Sequence, residues 1–333
     1  MKVLISAGLF YPSKLGGPAN TLYWLSKGLI YSGVDVFVVT SNKYIEKGLV
    51  EFDKWTNVDN IRIRYCTTNS KLNHRVILNS IKELKKCDVL ILSSIFYIPS
   101  FFIAFFAAFG SKKIIWSPRG ELFESAIGDS RIKFLFIRIL KMLFSKRVIF
   151  HVTSKYEEQQ VEKYFGNKVK IVVIPNYIEL PKQLERNDVD DKYFLYVGRI
   201  APIKALDNLL LGLAKSELFT LSRYKMLIAG GVENQFENYY EKLQQILNDD
   251  KRLKNKVVFL GNIDGREKYK LYANAYFSIL VSHSENFGNV VLEALSQGTP
   301  VIASRGTPWG KLIANRAGFW INNNEDDIAN CID

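Results

Sequence analysis

Cysteine is scarce: Cys66, Cys87 and Cys331 are the only three in 333 residues, too widely spaced and too few to form a disulfide framework or a zinc pattern. A reducing compartment, the cytoplasm, is the expectation. A secretory signal is also missing, because the apolar start "MKVLISAGLFYP" carries one lysine and stops at Tyr11-Pro12, as a first strand does. The run "SSIFYIPSFFIAFFAAFG" (93–110) has an uncharged core shorter than the roughly 20 residues of a spanning helix, and Pro99 punctuates it; it reads as a buried helix. No G-x-G-x-x-G follows the first strand, which disfavours a hydride-transfer enzyme. There is no repeat at solenoid periods.

What is present is a globular composition, 48% hydrophobic and 23% charged, with length for two domains and a formal charge of +12. Such a charge asks for nucleic acid, phospholipid headgroups or a phosphorylated substrate. In "RIKFLFIRILKMLFSKR" (131–147), Arg131, Arg138 and Lys141 recur at helical spacing beside Ile, Leu and Phe. That helix fits a membrane surface, or packing with its basic edge solvated. Specific nucleic-acid binding is not expected, since the basic residues are interleaved with aliphatics and no reading motif is present.

Short β-branched runs alternate with helical patterns, which specifies parallel sheets covered on both faces. Strands are expected at 2–8, 35–41, 61–66, 88–93, 113–117 and 147–154, with a helix at 19–33. The alternation breaks at "IPNYIELPKQLERNDVDDKY" (174–193), a polar stretch with Pro175 and Pro181, and then restarts. Later strands are expected at 194–199, 225–231, 257–261, 277–282 and 299–304, with helices at 207–216, 236–249 and 267–275. The expected architecture is α/β: a first Rossmann-like, doubly wound domain over 1–178, a linker over 179–192 and a second such domain over 193–333, facing across a cleft. Ligands in these folds sit at the carboxyl ends of strands.

The chemistry concentrates in "SHSENFGNVVLEALSQGTPVIAS" (282–304). A helix starting near Phe287-Gly288-Asn289 offers free N–H groups and a positive dipole end to an anion, with Gly288 allowing close approach. Glu285 stands before that turn, and Glu293 lies roughly 7.5 Å further along the axis, where it could accept from two adjacent hydroxyls. Hydroxyls, diphosphate and ribose in that order describe a nucleotide sugar. At the end of another strand, "YVGRIAPIKALDNLL" (196–210) presents Arg199 and Lys204, two cations suited to neutralising a diphosphate leaving group. In the first domain, Gly16-Gly17-Pro18 would bring backbone amides near a ligand. His151 ends a strand and His283 precedes the motif; both read as structural.

These elements together resemble the retaining glycosyltransferases of family 4, with the two-domain GT-B fold. The resemblance covers nearly the whole chain and rests on the E-x7-E pair Glu285 and Glu293, with "VGRIAPIK", "VIPN" (173–176), "SPRGEL" (117–122) and "GGPAN" in order. It implies that Glu293 holds the ribose, and that Glu285 contacts or positions the donor sugar. The segment Asn286, Phe287, Gly288 and Asn289 would lie against the diphosphate, with Gly16 and Gly17 also on the donor. The implied reaction needs no metal or other cofactor: the nucleoside diphosphate departs from an oxocarbenium-like sugar, and an acceptor hydroxyl attacks the same face. No clear Asp-x-Asp motif occurs in the cleft segments, since "DVDD" (188–191) falls in the linker as a solvated charge run. Many relatives have glycine where Ala205 stands, a change confined to the helix start, and a histidine where "SPRGEL" places Arg119, the candidate for contacting donor phosphate or acceptor. Relatives add a C-terminal helix beyond the position of Asp333, so a truncated end is the expectation.

The implied partners are a UDP- or GDP-sugar, a glycan acceptor carried on a lipid diphosphate, and an anionic membrane surface. The expected setting is O-antigen, capsule or exopolysaccharide biosynthesis, with the protein peripheral on the inner face of the cell membrane. The alternative is a nucleotide-sugar-binding protein or subunit, inactive without a partner or a missing segment.

Overall fold

The computed structural model describes the chain apart from residues 14, 15, 69, 71 and 188–191. The charge run "DVDD" lies outside the described residues. Two compact units divide the chain, Met1–Glu179 and Leu180–Asp333. The strands of the first are β1 (Lys2–Ala7), β2 (Asp35–Ser41), β3 (Trp55–Val58), β4 (Ile61–Cys66), β5 (Val89–Ser93), β6 (Lys113–Ser117), β7 (Val148–Val152) and β8 (Lys170–Val173). They form one sheet in the order β3-β4-β2-β1-β5-β6-β7-β8. Only β3 runs antiparallel, paired with β4 across the turn at Asp59-Asn60, both at positive φ.

The parallel strands read as continuous Val, Ile and Leu because helices bury both faces. Leu4, Val39, Leu90 and Leu92 point to one side, packed with Trp116, Leu122 and Phe144. Val3, Ile5, Val38 and Ile91 point to the other, against Phe10, Leu22 and Tyr65.

The second unit repeats the plan with β9 (Tyr193–Val197), β10 (Lys225–Ala229), β11 (Val257–Gly261), β12 (Phe277–Leu280), β13 (Val301–Ser304) and β14 (Gly318–Ile321), all parallel, in the order β11-β10-β9-β12-β13-β14. Phe194, Tyr196, Ile228, Ile279 and Ile302 share one face, and Leu195, Ala229, Leu280 and Ala303 the other. Residues 180–187 have no regular structure. They are nevertheless tied down: the Leu184 amide donates to Gln297 Oε1 at 2.9 Å and the Asn187 amide to Asn274 Oδ1 at 2.7 Å.

One expectation is corrected. The run 93–110 is not a buried helix. It forms β5's last residue, a turn and a helix, Ile98–Ala108, that buries Ile103, Ala104 and Ala107 but leaves Phe102, Phe105, Phe106 and Phe109 exposed. Burial of a helix needs neighbours on every side; this one packs on the sheet and against neighbouring helices, and its outer face is exposed. No helix among the described residues is long and apolar enough to cross a membrane.

Candidate functional site

In the second unit the strand order reverses between β9 and β12, and the crevice outside the carboxyl ends of those strands is where an open α/β sheet binds ligands. Lys204 and Glu285 meet there. Lys204 closes a 3₁₀ turn, Pro202–Lys204, after β9, and Glu285 follows β12. The Lys204 ammonium donates to Glu285 Oε1, and the two side chains are only 16% and 13% exposed. Ser282 Oγ donates to the same oxygen at 2.8 Å, so Oε2 is the oxygen left to face a ligand. The loops are stitched through backbone: the His283 amide donates to the Ile203 carbonyl and the Glu285 amide to the Gly306 carbonyl, both at 2.9 Å. Ala205, where the resemblance expects glycine, holds φ 52°, ψ 41° at the start of the helix Leu206–Lys215. A left-handed alanine is strained by about 1–2 kcal/mol, which is why glycine suits that position.

Arg199 lies on the same rim, one residue beyond Gly198. Its Nη1 donates to Glu233 Oε1 at 2.7 Å, and the arginine side chain is half-exposed. Its carbonyl accepts from the fully buried Tyr196 hydroxyl at 2.8 Å. Both expected cations therefore rest on carboxylates. A diphosphate reaching them must take their place.

The expected helix start is found one residue after Gly288, which caps the helix Asn289–Ser296 at φ 79°, ψ 65°. A β-carbon on Gly288 would lie 2.9 Å from Leu280 Cδ2, so both the dihedral and the packing demand glycine. Phe287 is buried edge-on against Trp309, whose indole N–H donates to the Phe287 carbonyl. Asn286 and Asn289 lie on either side of that Phe-Gly pair. Glu293, a turn into the helix, is 15% exposed. Its Oε1 accepts from Lys268 Nζ at 2.9 Å and its Oε2 from the Tyr272 hydroxyl at 3.1 Å. Burial first, and then the Glu293 carboxylate, push the Tyr272 phenol well above its ordinary range, so Tyr272 stays a donor. A carboxylate oxygen has two acceptor positions, and one protein donor on each oxygen leaves one on each. That is the acceptor pattern of a vicinal diol.

The first unit's candidates fall elsewhere in that unit. Gly16 and Gly17 open the helix Gly16–Tyr31, so they form its first turn rather than a loop before it; Thr21 Oγ1 donates to the Gly17 carbonyl at 2.9 Å. Arg119 follows β6 at φ 58°. Its Nη1 donates to Asn176 Oδ1 at 3.0 Å, while Nε and Nη2 are buried without a partner. Burial lowers its pKa to about 10 despite the Glu157 carboxylate, which leaves it charged at neutral pH. Buried N–H groups left unpaired are costly and call for an acceptor.

His151, expected to be structural, has a partner at each ring nitrogen. The Ile174 carbonyl, 2.9 Å from Nε2, can only accept, so Nε2 carries the proton and Nδ1 accepts from Ser117 Oγ at 2.8 Å. Burial, and then the Arg119 charge, lower its pKa to about 4. The unfolded chain therefore binds a proton that the folded chain refuses, and stability falls as pH drops from about 6.5 to about 4, by up to about 3 kcal/mol. The buried Glu121 and Glu157, with pKa values raised mainly by burial, pull the other way. The comparison with His151→Gln isolates the histidine. Denaturant titrations at pH 7 and pH 4.5 should show the variant losing less stability than the parent, and equal losses would contradict this.

Sequence reasoning missed Glu233, Lys268, Tyr272, Ser282 and Trp309. A signal existed for three: Lys268 and Tyr272 stand four apart on the helix Gly265–Asn274, one helical face, and Glu233 lies just past a strand end. The buried thiols Cys66 and Cys87 are pushed up in pKa by burial, which makes them unreactive.

Comparison with known proteins identifies the family and the fold. Residues 178–333 match the family model "Glycosyl transferases group 1". Among curated relatives, the O-antigen chain mannosyltransferase RfbU of Salmonella typhimurium is 28% identical over 200 residues, 60% of this chain and 54% of the relative. The D-inositol 3-phosphate glycosyltransferase of Mycolicibacterium smegmatis is 36% identical over 115 residues, 34% of this chain and 25% of the relative. The chain thus spans about half or less of the curated relatives it matches. The crystal structure of Anabaena HepE in complex with UDP and glucose superposes with a TM-score of 0.75 at 17% identity, over 100% of this chain and 89% of that one. WaaG, a glycosyltransferase involved in lipopolysaccharide biosynthesis, gives 0.69 at 13%, over 99% and 89%. At these identities the likeness shows the fold: each unit is Rossmann-like, and the chain has the GT-B architecture. Residues 15–181 match the model "Glycosyltransferase Family 4", half of the chain, and the protein belongs to that family.

Proposed function

We propose that this protein is a retaining glycosyltransferase that moves a hexose from a UDP- or GDP-sugar to a hydroxyl of a lipid-linked glycan acceptor, in the synthesis of a surface polysaccharide. One observation carries the reading: Glu293 is fixed by Lys268 and Tyr272 with an acceptor position open on each oxygen, in the helix that Gly288 opens. A ribose diol fits that carboxylate. The diphosphate then lies by the Phe287-Gly288 turn, within reach of the rim that holds Arg199 and Lys204.

The C1–oxygen bond breaks with its electron pair going to the diphosphate. Arg199 and Lys204 turn from Glu233 and Glu285 to that growing charge, a stabilisation larger in the transition state than in the ground state. Glu285, released from Lys204, faces the electron-poor sugar. The acceptor hydroxyl attacks the face the diphosphate leaves and gives its proton to a departing phosphate oxygen. No side chain forms a covalent bond to the sugar, and the reading assigns no step to a metal ion. Arg119, with buried N–H groups unpaired, is assigned to an acceptor oxygen.

The Salmonella relative, an O-antigen chain mannosyltransferase, supports a polysaccharide product, and the UDP and glucose bound to the Anabaena protein support a nucleotide-sugar donor. The basic first unit supports work at the inner face of the cell membrane. Nucleoside diphosphate release from candidate donors, with lipid-linked glycan as acceptor and with or without magnesium, tests the reading. Arg199→Ala is expected to lower turnover by about 10²-fold or more without loss of fold. Normal turnover in that variant would remove Arg199 from the reaction. Donor binding without turnover on any acceptor would instead favour a binding protein or an incomplete enzyme.

A further inference from the structure

The first unit carries an apolar surface that its own core does not use. On the helix Ile98–Ala108 and the residue after it, Phe102, Phe105, Phe106 and Phe109 recur at three- and four-residue spacing on the side away from the sheet. Phe106 is 51% and Phe109 78% exposed. The helix Arg131–Phe144 lies beside it, with Phe101 packed on Phe136 and Phe144 at 5.8 Å. Ile137, Leu140 and Phe144 face its core side, and an ordinary surface helix would be polar opposite them. Here the opposite face holds Ile132, Leu135 and Met142, with Ile132 82% and Met142 76% exposed. Two adjacent helices with apolar outer faces make a patch of the kind monomeric proteins seldom leave in water.

The charges beside this patch indicate what covers it. The helix Arg131–Phe144 contains Arg131, Lys133, Arg138 and Lys141 and no acidic residue, and the Ile98–Ala108 helix contains no charge. Arg138 follows the apolar stripe along its edge at helical spacing, and Lys146 and Arg147 continue the basic series past the helix end. A protein partner would need a matching acidic rim. A bilayer with anionic headgroups above an apolar interior offers both chemistries at once, to aromatics that insert and cations that stay at headgroup level.

We propose that this face docks on an anionic lipid bilayer: the phenylalanines of Ile98–Phe109 and the outer residues of Arg131–Phe144 enter the interface, and Arg131, Arg138 and Lys141 pair with headgroups. This rests on the membrane part of the reading above and not on its sugar chemistry, so vesicle binding is scored with no donor present.

The test is sedimentation of the full chain with vesicles of neutral lipid, or with roughly 30% anionic lipid added, across a salt series. The parent protein should bind the anionic vesicles, more weakly as salt rises. Phe106→Ser with Phe109→Ser should weaken binding at least about tenfold, since each removes a ring that would leave water. Arg131→Gln with Arg138→Gln should reduce the preference for anionic lipid. All these side chains are exposed, so melting temperatures should hold, and nucleotide binding in the same samples should be unchanged. No binding to either vesicle, or binding indifferent to the phenylalanine pair, would overturn the proposal. So would a dimer in light scattering that the Phe106→Ser, Phe109→Ser protein fails to form, because the patch would then belong to a second copy.

Discussion

A Glu285→Gln protein is expected to transfer sugar at least about a hundredfold more slowly than the parent, with the donor KM changed much less. Glutamine keeps the shape and can still accept from Ser282 Oγ, but it removes the negative charge that holds the Lys204 ammonium. Two effects follow. The developing positive charge on the sugar loses its facing carboxylate, and losses of one preorganised electrostatic partner run to about 3 kcal/mol in the transition state. Lys204, no longer shared between carboxylate and diphosphate, holds the leaving nucleotide more firmly and slows its release. The stability effect should be smaller, about 1–2 kcal/mol, because the pair is largely buried and its ammonium loses an ionic partner. Steady-state kinetics together with a thermal melt separate the two. A kcat within threefold of the parent would exclude Glu285 from the chemistry.

Gly230→Ala should produce the largest loss of stability. Gly230 directly follows β10, beside Gly198, which directly follows β9; the Gly198 amide donates to the Ala229 carbonyl at 2.9 Å and the Gly230 amide to the Gly261 carbonyl at 2.7 Å. A β-carbon there would stand 1.7 Å from the Gly198 carbonyl oxygen. No side chain can move aside to relieve that contact, since the obstacle is backbone. The strand ends must separate, at a cost of about 3–4 kcal/mol, near the upper end for a single substitution. For a unit of this size the melting temperature should fall by roughly 10 °C. The displacement runs straight into Arg199, whose carbonyl Tyr196 anchors, so donor binding should weaken as well. A melt within two degrees of the parent would show the strand ends more compliant than the packing implies.

Most of the architecture was legible because strands are rich in Val, Ile and aromatics, as in β2, β6 and β11, or alternate apolar with charged residues, as in β4 "IRIRYC", and all four fall where expected. The strands that escaped are β3, β8 and β14, where "WTNV", "KIVV" and "GFWI" are four residues long and lie at or beside sheet edges. Edge strands are covered less and need less apolar sequence. The two glutamates and the glycine before the helix could be read from spacing, because a helix N-terminus and its caps are local. The pairings could not: Lys204 reads as a cation but not as the partner of Glu285, 81 residues away, and Lys268 and Glu293 are 25 apart. Only the fold brings those pairs together. The exposed phenylalanines were misread for the same reason, since composition reports how apolar a helix is and not how many of its sides have neighbours.

On the proposed function, the Glu293 carboxylate receives the ribose of a nucleoside diphosphate. Isothermal titration of UDP and GDP into the parent and into Glu293→Ala, with and without magnesium, tests it most directly. One nucleotide should bind at about 1–100 µM, indifferent to magnesium, and at least about thirtyfold more weakly to the variant, the loss of two charge-assisted hydrogen bonds. Equal affinity in the two proteins, or no binding of either nucleotide to the parent, would contradict it.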